Sequence, residues 1–351
     1  MRTSKRITVG GLPIGGGAPI AVQSMTNTDT RDVAATVAQI GRLTEAGCEL
    51  VRVAVPDREA AERIGAIKRA IAIPLVVDIH FDYRLALECV KQGADGLRLN
   101  PGNIGDRWKV EEVTRAAADR GVPIRIGVNA GSVDRELLMK YGGPTVEAMV
   151  ESAMTHIGVL EDLAFTDIKV SVKASSVRLT VEAYRALAAK VDYPFHVGVS
   201  EAGTRWAGTI KSAVGIGTLL YDGIGDTIRV SLTDDPVEEV RVAYEILKVL
   251  GLREAGPEFI SCPTCSRCEI DLIGIATDVE AALADMKTPL KIAVMGCVVN
   301  GPGEAREADL GLAGGKGVGL IFRKGEIVRK VTEAEMKDAL IEEAKKLATD
   351  G

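Results

Sequence analysis

The chain has 351 residues, 46% of them hydrophobic, enough for two domains with buried cores and too large for a disulfide-stapled module. A formal net charge of -6 argues against a general nucleic-acid binder, because such proteins turn a basic face toward phosphate. No run of about 18 apolar residues could span a bilayer, and the opening Met1-Arg-Thr-Ser-Lys-Arg-Ile has no apolar secretory core, so a cytoplasmic protein without nucleic-acid or membrane partners is expected.

From Ile20 to Thr233, short β-branched runs alternate with helical spacing, the pattern of βα units around a parallel sheet. Strands are predicted near 20–25, 50–55, 75–80, 96–100, 124–129, 167–173, 195–200 and 227–232. Eight such strands make a (β/α)8 TIM-type barrel. The first helix shows Val33, Val37, Ile40 and Leu43 at helical spacing, stopped by Gly47. After the last strand, Asp235 reads as an N-cap with Pro236 at the first helical position, opening a helix that runs to Gly251. The glycine-rich stretches Gly11 to Gly17 and Gly314 to Gly319 lack the Gly-Lys-Ser/Thr of a P-loop and the context of a dinucleotide fingerprint, so both are expected to form turns.

Side chains alternate along a strand, which sorts each predicted strand into two faces. The outward set is aliphatic throughout, from Val51, Val53 and Val55 to Ile228, Val230 and Leu232. The inward set is polar: Gln23, Arg52, Asp78, His80, Arg98, Asn100, Arg125, Asn129, Lys169, Ser171, Lys173, His196, Ser200, Arg229 and Ser231. Cations from so many strands converging on one lumen call for an anion, and guanidinium groups grip phosphate in bidentate fashion, so a ligand with two phosphoryl groups is expected. Active sites of such barrels lie at the C-terminal ends of the strands, where Asp78, His80, Asn100, Asn129, Lys173, Glu201 and Ser231 fall. The competing pattern, half-exposed antiparallel strands with a wet face, would need hairpin turns that are missing between these strands.

Past Gly256-Pro257 the chain changes character, which divides it into a substrate-binding barrel, 1–255, and a small α/β domain, 256–351. Of the six cysteines, Cys48 and Cys89 stand alone as packing thiols. Cys262, Cys265 and Cys268 follow one another at two-residue gaps, and Cys297 comes after a strand, ahead of Asn300-Gly-Pro-Gly-Glu304. Zinc would need an odd ligand set here, since the segment holds no histidine, whereas an iron–sulfur cluster could use Cys262, Cys265 and Cys297 with either Glu304 or Cys268 as the fourth ligand. Further strands are predicted near 290–296, 309–313, 317–323 and 326–331, then a helix opened by a Thr332-to-Glu335 capping box.

Taken together, the motifs Val22-Gln-Ser-Met-Thr-Asn-Thr-Asp-Thr30, Leu97-Arg-Leu-Asn-Pro-Gly-Asn103, Gly127-Val-Asn-Ala-Gly-Ser132, Lys169-Val-Ser-Val-Lys173, Gly225-Asp-Thr-Ile-Arg-Val-Ser231, Cys262-Pro-Thr-Cys265 and Gly296-Cys-Val-Val-Asn-Gly-Pro-Gly-Glu304 resemble the bacterial 4-hydroxy-3-methylbut-2-en-1-yl diphosphate synthases of the methylerythritol phosphate route to isoprenoids. The resemblance covers nearly the whole chain. It implies a [4Fe-4S] cluster on Cys262, Cys265, Cys297 and Glu304, with Cys268 a non-ligand. It also implies 2-C-methyl-D-erythritol 2,4-cyclodiphosphate as substrate, held by Arg52, Arg98, Arg125, Arg229, Ser231 and a lysine of the Lys169–Lys173 strand. The implied reaction is a two-electron reductive ring opening with flavodoxin or ferredoxin as donor, Glu201 supplying a proton and His80 and Asp78 orienting or relaying it. A homodimer is implied, the cluster domain of one copy capping the barrel of the other. The alternative from another class is a phosphate-ligand sensor with a structural zinc knuckle.

Overall fold

A computed structural model describes residues 2–254, 256–284, 286–297 and 308–350. The chain divides into two compact units, Met1–Arg253 and Glu254–Gly351. The first opens with a hairpin, β1 (Ile7–Val9) and β2 (Leu12–Ile14). Its two-residue turn, Gly10-Gly11, has φ of +53° and +90°, the left-handed backbone that such a turn requires and that glycine accepts without strain. Only a turn was expected here; the flanking strands are too short for a periodic signal.

All eight predicted barrel strands form: β3 (Ala21–Met25), β4 (Leu50–Ala54), β5 (Leu75–Asp78), β6 (Gly96–Leu99), β7 (Ile124–Asn129), β8 (Ile168–Lys173), β9 (His196–Val197) and β10 (Thr227–Ile228). They pair in parallel in the order β8-β7-β6-β5-β4-β3-β10-β9, and a bridge between Val170 and Phe195 joins the two ends into a closed cylinder. The last two strands are shorter than expected, and Gly198, just past β9, lies close against the next strand, where an added Cβ would be 2.4 Å from the Arg229 carbonyl oxygen. Beyond it the ladder continues as single bonds, such as Arg229 N–H to Val197 O at 3.0 Å.

The outward aliphatic set, with Val53, Val77, Leu97, Ile126, Val170 and Val197 all fully buried, packs against the surrounding helices in one continuous core. Burying each such side chain contributes roughly 1.5–3 kcal/mol. Helix starts follow local chemistry: Asp32 caps Ala35 N–H, Asp57 caps Ala60 N–H, and Asp235 caps Val237 N–H with Pro236 behind it. The hairpin closes the N-terminal end of the cylinder. Ile7, Val9 and Ile14 form a separate cluster with Ala21, Leu50 and Val76, the lowest inward residues of β3, β4 and β5. The lumen therefore has an aliphatic floor that reaches up among its lowest inward positions, which the sorting of polar residues did not bring out.

The second unit is a five-stranded sheet, β11 (Glu258–Ser261), β12 (Lys291–Met295), β13 (Leu310–Gly315), β14 (Val318–Arg323) and β15 (Glu326–Thr332), in sequence order. The first three strands are parallel and the last three antiparallel. Helices Leu272–Leu283 and Met336–Asp350 cover one face, burying Ile292, Val294, Leu310, Leu312 and Ile321. β11 and the helix Leu272–Leu283 were not foreseen. The capping box is present, with Thr332 N–H and Oγ1–H donating to Glu335 at 2.9 and 2.7 Å.

Candidate active site

Barrel strands are staggered, so alternate strands contribute to each tier of the lumen. From the observed registers the tiers rise as Leu50, Gly96, Lys169 and Thr227; then Gln23, Val76, Arg125 and His196; then Arg52, Arg98, Ser171 and Arg229; then Met25, Asp78, Gly127 and Gly198; then Ala54, Asn100, Lys173 and Ser231. Contacts agree with this order. Arg98 Nη2 donates to Gly127 O at 3.3 Å, and Arg52 reaches Met25 Sδ at 2.8 Å and Asp78 at 3.6 Å.

Six cations thus occupy one lumen: Arg52, Arg98, Arg125, Lys169, Lys173 and Arg229. Arg98, Arg125, Lys169 and Lys173 are each at most 8% exposed. Asp78 answers Arg98 at 3.0 Å and Arg52 at 3.6 Å. Glu239, on the helix Pro236–Val249, answers Arg229 at 3.4 Å, accepts from Ser24 Oγ at 3.2 Å, and takes Leu232 N–H at 3.0 Å. With Asp226 acting on Lys169 from the lower end, three carboxylates against six cations still leave a positive lumen. Nε of Arg98, Nε and Nη1 of Arg125 and Nζ of Lys169 are buried without a hydrogen-bond partner.

The electrostatics follow from burial and like charge. Burial, reinforced by Arg52 and Arg98, drives the Arg125 guanidinium well below its ordinary range. Burial pushes Arg52 down to about 9 despite Asp78, and Lys169 down to about 7. Lys173 is lowered by burial and by Arg125 and Arg229; His196 is held neutral by burial beside Lys173 and Arg125. At Asp78, burial pulls upward, yet Arg52, Arg98, Arg125 and His80 together keep the carboxyl below its usual value.

At the mouth, His80 is exposed, its Nε2 lying 3.7 Å from Asp78. Asn100 Oδ1 accepts from Gly102 N–H at 3.2 Å, capping the short helix Pro101–Ile104. Ser132 Oγ takes the Asn129 N–H at 3.2 Å, folding the turn after β7. Glu201 follows β9 on the surface with φ +53°, a left-handed conformation that costs a non-glycine residue roughly 1–2 kcal/mol.

Three contributors were not foreseen. Gly127 and Gly198 make room for charge: an added Cβ would lie 2.5 Å from Arg98 Nε at the first and 2.7 Å from Lys173 Nζ at the second. Glycine inside a strand pattern is a signal of close approach. Glu239 shares a helical face with buried Val240, Ala243 and Leu247, which marks it as an inward carboxylate.

In the second unit, β11 and β12 run parallel and neighbouring, so Cys262 and Cys297 emerge from adjacent strand ends. Gly296 N–H donates to Cys262 Sγ at 3.3 Å, and a Cβ at Gly296 would lie 2.6 Å from Cys268 Sγ. Cys268 Sγ–H donates to Ile270 O at 3.3 Å. Cys265 is exposed, and hydrogen bonds from the Arg267 backbone and side chain lower its thiol, favouring thiolate. Glu304 lies outside the described residues, and among the described residues no three His, Cys, Asp or Glu side chains stand at metal-holding separation. Cys262 and Cys268 stand beside Gly296 and Cys297 follows it in the chain, so this strand end is rich in thiols, the donor chemistry that an iron–sulfur group takes.

Residues 4–244 match the family model described as GcpE TIM-barrel domain, and residues 258–346 match the one described as GcpE protein C-terminal domain. A 4-hydroxy-3-methylbut-2-en-1-yl diphosphate synthase (flavodoxin) of Geobacter sulfurreducens is 64% identical over 347 residues, covering 99% of this chain and 98% of that protein. One of the same description from Thermodesulfovibrio yellowstonii is 61% identical, covering 98% and 99%. Among solved structures, a Yersinia pestis dihydropteroate synthase aligns with a TM-score of 0.51 at 14% identity, over 72% of this chain and all of that one, a likeness of fold alone. No helix among the described residues is long and apolar enough to cross a membrane. Matched by family models over both units and by relatives above 60% identity along their full length, the chain belongs to the GcpE family of 4-hydroxy-3-methylbut-2-en-1-yl diphosphate synthases.

Proposed function

We infer that this chain is an oxidoreductase that opens the ring of 2-C-methyl-D-erythritol 2,4-cyclodiphosphate. Two electrons and two protons convert the cyclic diphosphate to 4-hydroxy-3-methylbut-2-enyl diphosphate and water. The C2–O bond to phosphate breaks, and the C3 hydroxyl leaves as water. The observation that carries this reading is the set of buried, unpaired guanidinium and ammonium donors in the lumen, which a diphosphate would satisfy. The relatives named above are synthases, and nothing among them favours the sensor with a zinc knuckle.

Arg52, Arg98, Arg125 and Arg229 bind the diphosphate, with Lys173 and Ser231 above them and Lys169 adding charge from below. Asp78 holds Arg52 and Arg98 in place, so that they meet the ligand already oriented. Asn100 and Asn129 shape the turns at the mouth. Glu201 protonates the departing hydroxyl, and His80, beside Asp78, orients or relays that proton. A [4Fe-4S] group on Cys262, Cys265, Cys297 and Glu304 would supply the electrons one at a time. Flavodoxin, the donor for which the relatives are named, delivers them. We place the enzyme in the cytoplasm, where six free cysteines stay reduced, as a homodimer in which one copy's cluster domain serves the other's barrel.

Anaerobic turnover of the cyclic diphosphate with reduced flavodoxin tests the assignment. Product should form with the wild type, fall about a hundredfold or more with Cys297→Ser, and fall strongly with Glu201→Gln. Full turnover by Glu201→Gln would remove Glu201 from the proton step.

A further inference from the structure

Beside the mouth of the barrel, a buried histidine takes no part in the lumen itself. His156, on the helix Val146–Glu161, places its Nε2 3.4 Å from Oγ of fully buried Ser152, one turn earlier on the same helix. Burial pushes the ring below the usual histidine value, against the pull of Asp134, which favours the neutral form. The edge of that ring presses on the turn after β6. A Cβ added at Gly102 would lie 2.7 Å from His156 Cε1 and 3.4 Å from its Nε2. Gly102 has no left-handed φ, so this position lacks room for a side chain and carries no backbone strain.

Gly102 is also where Asn100 is anchored. Asn100 is buried in the topmost tier of the lumen, with Lys173 and Ser231, and its Oδ1 accepts Gly102 N–H at 3.2 Å. With the oxygen committed to the turn, the amide nitrogen is the end of the side chain left for a ligand, and it can only donate. Reversing the amide would set donor against donor at Gly102 N–H. Pro101 stands between the two residues at the start of the short helix Pro101–Ile104 and fixes its own φ, so a shift of Gly102 is passed on to Asn100.

We propose that His156 is a positioning residue for substrate binding, holding the turn at Gly102 so that Asn100 directs its amide nitrogen at a phosphoryl oxygen. The inference rests on the reading of the lumen as a diphosphate site. A histidine suits the position because its flat ring reaches Gly102 edge-on while a ring nitrogen meets the Ser152 hydroxyl. An aliphatic side chain of similar size would leave that buried hydroxyl without this partner.

Calorimetric binding of inorganic pyrophosphate to the holoenzyme separates this role from turnover. Gly102→Ala should drive ring and turn apart and weaken binding about tenfold, the loss expected for one charge-assisted hydrogen bond, and His156→Ala should weaken it comparably by releasing the turn. In the double variant the added methyl occupies space that the ring vacates, and affinity should return to within about threefold of wild type. Asn100→Asp keeps the acceptor for Gly102 N–H and removes the donor, so it should bind at least as weakly as either single variant. His156→Phe retains the ring edge and should bind like wild type at a lower Tm. With the cyclic diphosphate, KM should follow the pyrophosphate affinities while kcat changes less. If the His156 and Gly102 variants lower Tm but leave pyrophosphate affinity unmoved, or if the double variant is merely the sum of the two, His156 is a packing residue and the proposal falls. Should His156→Ala not fold, Gly102→Ala and His156→Phe carry the same comparison. A wild type that binds pyrophosphate without opening the cyclic diphosphate would refute the proposed reaction and leave the positioning role standing; one with no affinity for pyrophosphate would end both.

Discussion

At the scale of single residues, the lumen shows how small side chains set where charge can sit. Gly127 leaves space that Arg98 fills, and Asp78 draws the same guanidinium from the other side at 3.0 Å. Gly127→Ala should displace Arg98 and raise KM for the cyclic diphosphate about tenfold, with kcat less affected, because a charge-assisted hydrogen bond contributes roughly 1.5–3 kcal/mol. Steady-state kinetics would show it, and an unchanged KM would mean that Arg98 does not hold substrate. Lys169 gives a pH signature. Its folded value of about 7 lies below the unfolded value, so the folded state binds fewer protons above that point. The penalty is full below about pH 7 and fades toward pH 10. In anion-free buffer, Lys169→Met should therefore be more stable than wild type at pH 6.5 and its advantage should shrink by pH 9. Thermal melts across that range measure the difference. The inward cations were legible in the sequence because strand alternation is strict. The helical carboxylate Glu239 was not read, since a Glu in the first turn of a helix ordinarily faces water as a partner of the dipole.

At the scale of elements, the hairpin β1–β2 closes one end of the cylinder, and the strand ends at the other carry the proposed chemistry. Its turn tolerates little change. A Cβ at Gly10 would lie 2.6 Å from Asp95 Cγ, and Asp95 in turn holds Leu75 N–H at 2.7 Å and Lys68 at 2.6 Å. Replacing Gly10 and Gly11 by alanine should lower Tm by about 5 °C, from roughly 1–2 kcal/mol of backbone strain at each position, with kcat retained at low temperature. Loss of activity without loss of Tm would contradict a purely structural plug. The eight barrel strands were readable because each alternates over four or more residues between helical stretches. β1, β2 and β11 were not, being too short or too mixed, and their identity comes from pairing partners distant in sequence.

For the whole molecule, the proposal of a homodimer that shares its sites makes a firm demand on mixing experiments. Cys297→Ser and Glu201→Gln variants, each nearly inactive alone, should regain up to about a quarter of wild-type activity once co-expressed, because a mixed dimer assembles one intact barrel with one intact cluster domain. No recovery would mean that each chain works alone. Alternation, capping residues and cysteine spacing are local properties, and with them the amino-acid sequence alone determined the barrel, its polar inner face, the break near residue 256 and the thiol-rich second unit. Local pattern cannot say which buried charges find partners. That was decided by the folded chain: closure of the cylinder set Arg125 and Lys169 in adjacent tiers with buried nitrogens that no hydrogen bond satisfies and committed Glu239 to Arg229, and the second sheet brought Cys262 and Cys268 beside Gly296. The reason is physical: burial and Coulomb interaction depend on distance in space, and only the folded chain specifies those distances.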